Sequence, residues 1–285
     1  MSDLVYGSYD QESLDLEYDM RRRCPHFAET FATLEPDNAR VVEKFKCNID
    51  VPFGDTELQK LDVWPGTGNA PMLMFIHGGY WKAFDKAMFR FVSERFLEVG
   101  ACVVLNNYDL CPNVTMDTIV DQNRKALKWI YDHSKELGCD RDRFFVTGHS
   151  AGGHLSAILA STDWRDFGLS KNPINRAFPV SGLYDLEPLR LSYLNADLLM
   201  SEEDCHRVSP IHMVPGEAPP MIIAVGGGET DEFKRQSRIY TDACKTKDLD
   251  VEYMELGEFD HVHVAGQYAN PDSPLTSSIL AAFDA

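Results

Sequence analysis

The segment Gly148-His149-Ser150-Ala151-Gly152-Gly153 sets a serine among glycines, between the apolar stretch RFFVTG and the helical pattern HLSAILA. That is the context a G-x-S-x-G nucleophile elbow needs: a sharp strand-to-helix turn that lifts a serine hydroxyl into a cavity. Glycines on either side let the backbones approach without a Cβ clash. The first helical turn aims N–H groups that have no intrahelical acceptor toward the same place, which favours developing negative charge. Ser150 is the expected nucleophile of an acyl-transfer reaction, with His149 beside it as a candidate substrate-binding residue.

Acyl transfer passes through a tetrahedral oxyanion and requires preorganised N–H donors. The segment His77-Gly78-Gly79-Tyr80-Trp81 follows the apolar run PMLMFI, and its glycines free the backbone to point donors inward. The expected oxyanion hole is the N–H groups of Gly78, Gly79 and Ala151. His77, fixed at the strand end, reads as a brace for the loop rather than a base. Tyr80 and Trp81 are candidates for walling the substrate, and packing of the loop onto the body is the competing reading.

A serine nucleophile needs a base, and in an elbow-bearing fold the order is Ser, acid, His. His206 and His212 come too early for that order. His261 follows the apolar run VEYMEL and the loop GEFD, as the base should, while His263 reads as a surface residue. The acid belongs after the preceding run, in MIIAVGGGETDEF, where Glu229 and Asp231 both qualify and spacing does not separate them. Asp260, His261 and His263 also suggest a metal reading, but no second ligand cluster and no H-E-x-x-H accompany them. A metal site is not expected there.

These residues need a scaffold that brings strand ends together. From about residue 70 onward, short apolar runs (72–76, 101–105, 143–148, 177–182, 221–227 and 251–256) alternate with helical patterns near 86–99, 117–137, 151–161, 233–247 and 275–283. Continuous apolar strands of this kind belong to a parallel sheet covered on both faces. Ahead of them, VVEKFKCNIDVPFG and TELQKLDVWPG read as an antiparallel hairpin turning at Gly54-Asp55, preceded by an N-terminal helical arm at about 1–35. The expectation is one α/β domain over residues 1–285, with a cap-like insertion at about 184–218.

Composition narrows the function classes. The 285 residues are 44% hydrophobic and 25% charged, with no apolar run of membrane-span length. The N-terminus is polar and acidic, unlike a secretory signal, so a cytoplasmic location is expected. Seven dispersed cysteines without a C-x-x-C pair read as reduced, buried thiols. With 45 acidic against 27 basic residues the net charge is −18, which opposes binding to nucleic acid or anionic membranes. The single basic run, Arg21-Arg22-Arg23, reads as a solvated or locally paired helix end. The partner left is a small molecule.

Together, HGGYW, GHSAGGH, VSGLYDLEP and GGGETDEFKRQS followed by DH resemble the kynurenine formamidase (arylformamidase) branch of the α/β-hydrolases, close to the hormone-sensitive-lipase-like esterases. The resemblance runs from about residue 40 to the end. It implies an α/β-hydrolase fold and hydrolysis of N-formyl-L-kynurenine to kynurenine and formate in tryptophan catabolism. It also implies no cofactor, and a homodimer as the family's usual assembly. Carried over by position, Ser150 matches the nucleophile, His261 the base and Glu229 the acid, where many relatives have aspartate. Relatives of this branch also cleave simple aryl esters, so a carboxylesterase is the alternative activity, and a noncatalytic binding module on the same fold is the third reading.

Overall fold

A computed structural model describes residues 3–284. Eight strands form one sheet: β1 (Asn48–Pro52), β2 (Lys60–Trp64), β3 (Ala70–Ile76), β4 (Cys102–Asn106), β5 (Cys139–His149), β6 (Ile174–Val180), β7 (Met221–Gly226) and β8 (Val251–Leu256). Their order is β1-β2-β4-β3-β5-β6-β7-β8. The β1–β2 and β2–β4 pairs are antiparallel, and every pair from β4 onward is parallel. This is the α/β-hydrolase architecture with an antiparallel N-terminal hairpin. The parallel strands are apolar throughout because both faces are covered: along β3, Met72, Met74 and Ile76 enter one core while Leu73 and Phe75 enter the other.

The chain leaves β3 toward β4 on one side and returns to β5 on the other, which makes the β3–β5 junction a topological switch point. In open α/β sheets the crevice at the carboxyl ends beside such a point is where ligands bind. Register sharpens the placement, since Ile76 pairs with Gly148 as the last partners of β3 and β5. Two residues further along each strand stand Gly78 and Ser150.

The helices at Met116–Asp132, Ala151–Ser161, Asp231–Lys245 and Pro274–Phe283 match the expected ones. Two elements differ. Lys86–Ser93 is a 3₁₀ segment, with only Glu94–Glu98 continuing as α-helix. The N-terminal arm, whose first two residues lie outside the described residues, is three helices, Gln11–Tyr18, Met20–Arg23 and Phe27–Lys44. The third of these extends well past residue 35, so Val41-Val42-Glu43-Lys44, expected to open the first strand, instead end a helix. The cause is a stripe at helical spacing: Phe31, Leu34 and Val41 pack against the same core, and Asn38 on that face donates to the Met88 carbonyl and accepts from Phe91 N–H.

The arm folds back over the carboxyl end of the sheet. Tyr18 Oη donates to Glu232 Oε2 at 2.9 Å and accepts from Gln236, while Glu17 Oε2 accepts from Glu232 N–H at 3.0 Å. The stretch between β6 and β7 carries short helices at Glu187–Leu191, Asn195–Leu198 and Glu202–Val208. It meets the arm through Tyr6 to Asp185, Gln11 to the Leu191 carbonyl, and Tyr193 N–H to Asp15. All seven cysteines are free thiols.

Candidate active site

Ser150 sits at the tip of the β5 turn with φ 60° and ψ −120°, a conformation an L-residue holds only under constraint from its surroundings. Gly152 supplies much of that constraint, because a Cβ there would lie 1.9 Å from the Ile76 carbonyl oxygen. The turn can therefore pack on β3 only with glycine at that position. Ser150 N–H donates to the Val180 carbonyl at 2.9 Å, tying the elbow to β6.

His261 and Glu229 come to the same point from the ends of β8 and β7. His261 Nε2 lies 2.9 Å from Ser150 Oγ, and His261 Nδ1 lies 2.6 Å from Glu229 Oε2. An ionised carboxylate only accepts, so the proton on Nδ1 points to Glu229 and Nε2 is left to accept the serine hydroxyl proton. The imidazole is gripped between the His149 ring at 4.6 Å and Phe233 at 4.2 Å, which fixes its plane. Asp260 caps the helix that begins at His261 by accepting from Val262 and His263 N–H groups.

Glu229 is 5% exposed, whereas the Asp231 side chain is 85% exposed and pairs with Lys234. Of the two carboxylates open to sequence reading, only Glu229 reaches His261. Its Oε1 accepts from Gly226 N–H at 2.8 Å and from the Ser181 hydroxyl. The triglycine run lies flat on the loop that carries the histidine, through Gly227 N–H to the Gly257 carbonyl and Gly228 N–H to the Phe259 carbonyl. Asp260 and His263 bond to each other while His261 turns toward Ser150, so the DHVH segment does not converge on one point. His206 and His212 stack on each other at 4.1 Å, outside the cavity wall.

The HGGYW loop lies against the serine. A Cβ on Gly78 would fall 2.9 Å from the His149 carbonyl oxygen and 3.0 Å from Ser150 Cβ, so the backbone passes Ser150 at a distance only glycine permits. The loop then runs through positive φ at Gly79, Tyr80 and Trp81. Ala151, first residue of the helix, has no intrahelical acceptor for its N–H. His77 is fully buried between the Gly78 carbonyl and Asn107 and stacks on Tyr108 at 4.4 Å, as a brace would. Burial lowers its pKa against the opposing pull of those two hydrogen bonds, and burial together with the neighbouring His261 lowers that of His149 much further.

A cavity of about 400 Å³ opens above Ser150. Of the substrate-binding candidates, His149 and Tyr80 line it. Trp81 does not: it is fully buried beneath the loop, edge-on to His154 at 4.9 Å, and packs the loop onto the body. Residues outside the sequence-level candidates supply most of the wall, notably Phe27 and Phe31 from the arm, Phe84 and Phe89 after the loop, and Tyr193 and Leu194 from the stretch before β7. The i, i+4 spacing of Phe27 and Phe31 was the one sequence signal for them. Ser181 had none beyond its place at a strand end.

Comparison with known proteins agrees with this construction. The BD-FAE family profile matches residues 64–240. A kynurenine formamidase of Danio rerio is 31% identical over 98% of both chains, and one of Salmo salar is 34% identical over 81% of this chain and 80% of that one. Esterase LipQ of Mycobacterium tuberculosis is 28% identical over 74% of this chain and 56% of its own length. Among solved structures, a Silicibacter protein described as a candidate thioesterase superposes with a TM-score of 0.81 at 27% identity, covering 94% of this chain and 98% of that one. The Pyrobaculum calidifontis esterase, at 17% identity and a TM-score of 0.72 over 94% of this chain and 97% of its own, shares the fold. Sequence, fold and relatives converge on one assignment: the chain belongs to the kynurenine formamidase-like branch of the α/β-hydrolases, near the hormone-sensitive-lipase-like esterases, and is a serine hydrolase.

Proposed function

We propose that the protein hydrolyses the formamide of N-formyl-L-kynurenine, with Ser150, His261 and Glu229 as its catalytic residues. The observation that carries this reading is the buried Ser150–His261–Glu229 relay at the floor of an aromatic-walled cavity, in a chain that aligns end to end with a kynurenine formamidase. His261 takes the hydroxyl proton as Ser150 Oγ attacks the formyl carbon. The resulting oxyanion is held by the N–H groups of Gly78, Gly79 and Ala151. Collapse breaks the C–N bond, and His261 hands its proton to the departing aryl amine, which leaves as kynurenine. Water, deprotonated by the same imidazole, attacks the formyl-serine ester; the second tetrahedral intermediate expels Ser150 Oγ, which recovers its proton as formate leaves. Glu229 keeps the imidazole in the productive tautomer and stabilises its charged form.

The arm and residues 184–218 act in this reading as a cap within a single domain, setting the size of the leaving group. The carboxylesterase alternative uses the same relay on another leaving group. Quantifying both products tests the proposal. The wild type releases kynurenine and formate in equal amounts from N-formyl-L-kynurenine, and Ser150→Ala lowers kcat by at least ~10⁴-fold. Near-normal turnover by the alanine variant would sink the assignment.

A further inference from the structure

Arg21-Arg22-Arg23 is the one basic run in a chain of net charge −18, and the structure gives its members different surroundings. Arg23 is occupied, with Nη2 donating to Glu17 Oε1 at 2.7 Å and Nε to the Leu16 carbonyl at 3.2 Å. Arg21 instead lines the cavity that ends at Ser150 and has no ion pair or hydrogen bond to its side chain among the described residues. The other cation on that wall, Lys82, is paired with Asp197. Asp19 lines the same cavity; its Oδ1 accepts from Arg22 N–H at 3.2 Å, and its Oδ2 has no partner among the described residues.

The wall thus presents one uncommitted guanidinium and one uncommitted carboxylate oxygen, two residues apart in the chain, in the cavity that the mutually packed rings of Phe27, Phe31 and Phe84 also line. That is the complement of an aromatic ring bearing an α-amino acid. We propose that Arg21 binds the α-carboxylate and Asp19 the α-ammonium of the substrate, so that the N-terminal arm is the specificity element for a zwitterionic leaving group. A planar guanidinium matches a carboxylate bidentately, and charge-assisted contacts of this kind are the stronger hydrogen bonds. The acidic molecule as a whole repels a substrate carrying only a carboxylate, whereas a zwitterion meets no net repulsion at long range and can be held by a local pair of opposite charges. The choice of an amino acid rests on the formamidase reading; the pairing of Arg21 with a carboxylate does not.

The test compares kcat/KM for N-formyl-L-kynurenine, its des-amino analogue, its decarboxylated analogue and ortho-formamidoacetophenone, which lacks both charges. Wild type is set beside Arg21→Gln, Asp19→Asn and Lys82→Met, with circular dichroism confirming that each variant is folded. Arg21→Gln lowers the preference for carboxylate-bearing over carboxylate-free substrates by about tenfold or more, mainly through KM. Asp19→Asn keeps the capping oxygen and lowers the preference for ammonium-bearing substrates by about fivefold or more, while Lys82→Met moves neither preference beyond about twofold. Preferences untouched by the Arg21 and Asp19 changes, or shifted as much by Lys82→Met, overturn the proposal. A wild type that cleaves phenyl acetate through Ser150 but none of the formamides overturns the formamidase reading instead. In that event the comparison becomes para-acetoxybenzoate against phenyl acetate: a tenfold loss of preference in Arg21→Gln upholds the carboxylate contact, and no change ends it.

Discussion

Glu229 accepts three hydrogen bonds, from His261 Nδ1, Gly226 N–H and the Ser181 hydroxyl, and each restricts what can replace it. In Glu229→Gln the amide oxygen still serves Gly226 and Ser181, so the NH₂ group faces His261. The imidazole then has to accept at Nδ1 and carry its proton on Nε2, where it cannot take one from Ser150. We predict a fall in kcat of about 10²–10⁴-fold with little change in KM, read from steady-state kinetics, and a loss under tenfold contradicts the relay. The nucleophile and base were legible in the sequence because elbow chemistry fixes local context and chain order. The acid was legible only through the family resemblance, which points to Glu229: spacing does not separate it from Asp231 two residues on, and the packing of the triglycine run on the histidine loop turns one inward and leaves the other in solvent. Trp81 shows the converse limit: an aromatic ring after an oxyanion loop reads equally as substrate wall or packing, and burial decides for packing.

At the scale of elements, His154 joins the elbow helix to the stretch that precedes β7. Its Nε2–H donates to the Val208 carbonyl at 2.7 Å, and complete burial lowers its pKa to about 4. The folded value lies below the ordinary ~6.5, so between those pH values the unfolded chain binds more protons. The stabilising contribution is full above pH ~6.5 and is lost as pH falls toward 4, amounting to about 2 kcal/mol at pH 5. His77 and His149 act with the same sign. Urea unfolding at pH 7.5 and 5 should therefore show a steep acid loss in the wild type and a loss smaller by about 2 kcal/mol in His154→Gln; parallel losses contradict it. The parallel strands were legible because each is a bounded apolar run. The long arm helix was not, because Pro36 reads as a helix breaker and Asn38 puts a polar residue in the apolar stripe, and its packing on the 3₁₀ segment Lys86–Ser93 is a contact between distant parts of the chain.

For the whole molecule, the sheet order places β3 and β5 side by side at the switch point, and the arm with the stretch before β7 encloses the cavity from above. Tertiary placement is long-range information, which is why the cavity's aromatic wall, Tyr80 apart, stayed hidden while its floor did not. With 45 acidic against 27 basic residues, the excess charge of −18 makes self-repulsion oppose the compact state at low ionic strength. The midpoint of thermal unfolding should rise by a few degrees as salt goes from ~0.01 M to ~0.15 M, the range over which the screening length shortens from about 30 Å to 8 Å, and a falling midpoint would show that surface ion pairs outweigh repulsion. The measurement that bears most directly on the account is the ratio of kcat/KM for N-formyl-L-kynurenine to that for phenyl acetate, on purified protein with Ser150→Ala as control. A formamidase gives a ratio well above one, with both activities lost in the variant. A ratio well below one, still dependent on Ser150, contradicts the formamidase reading and makes the protein an esterase with a different natural substrate.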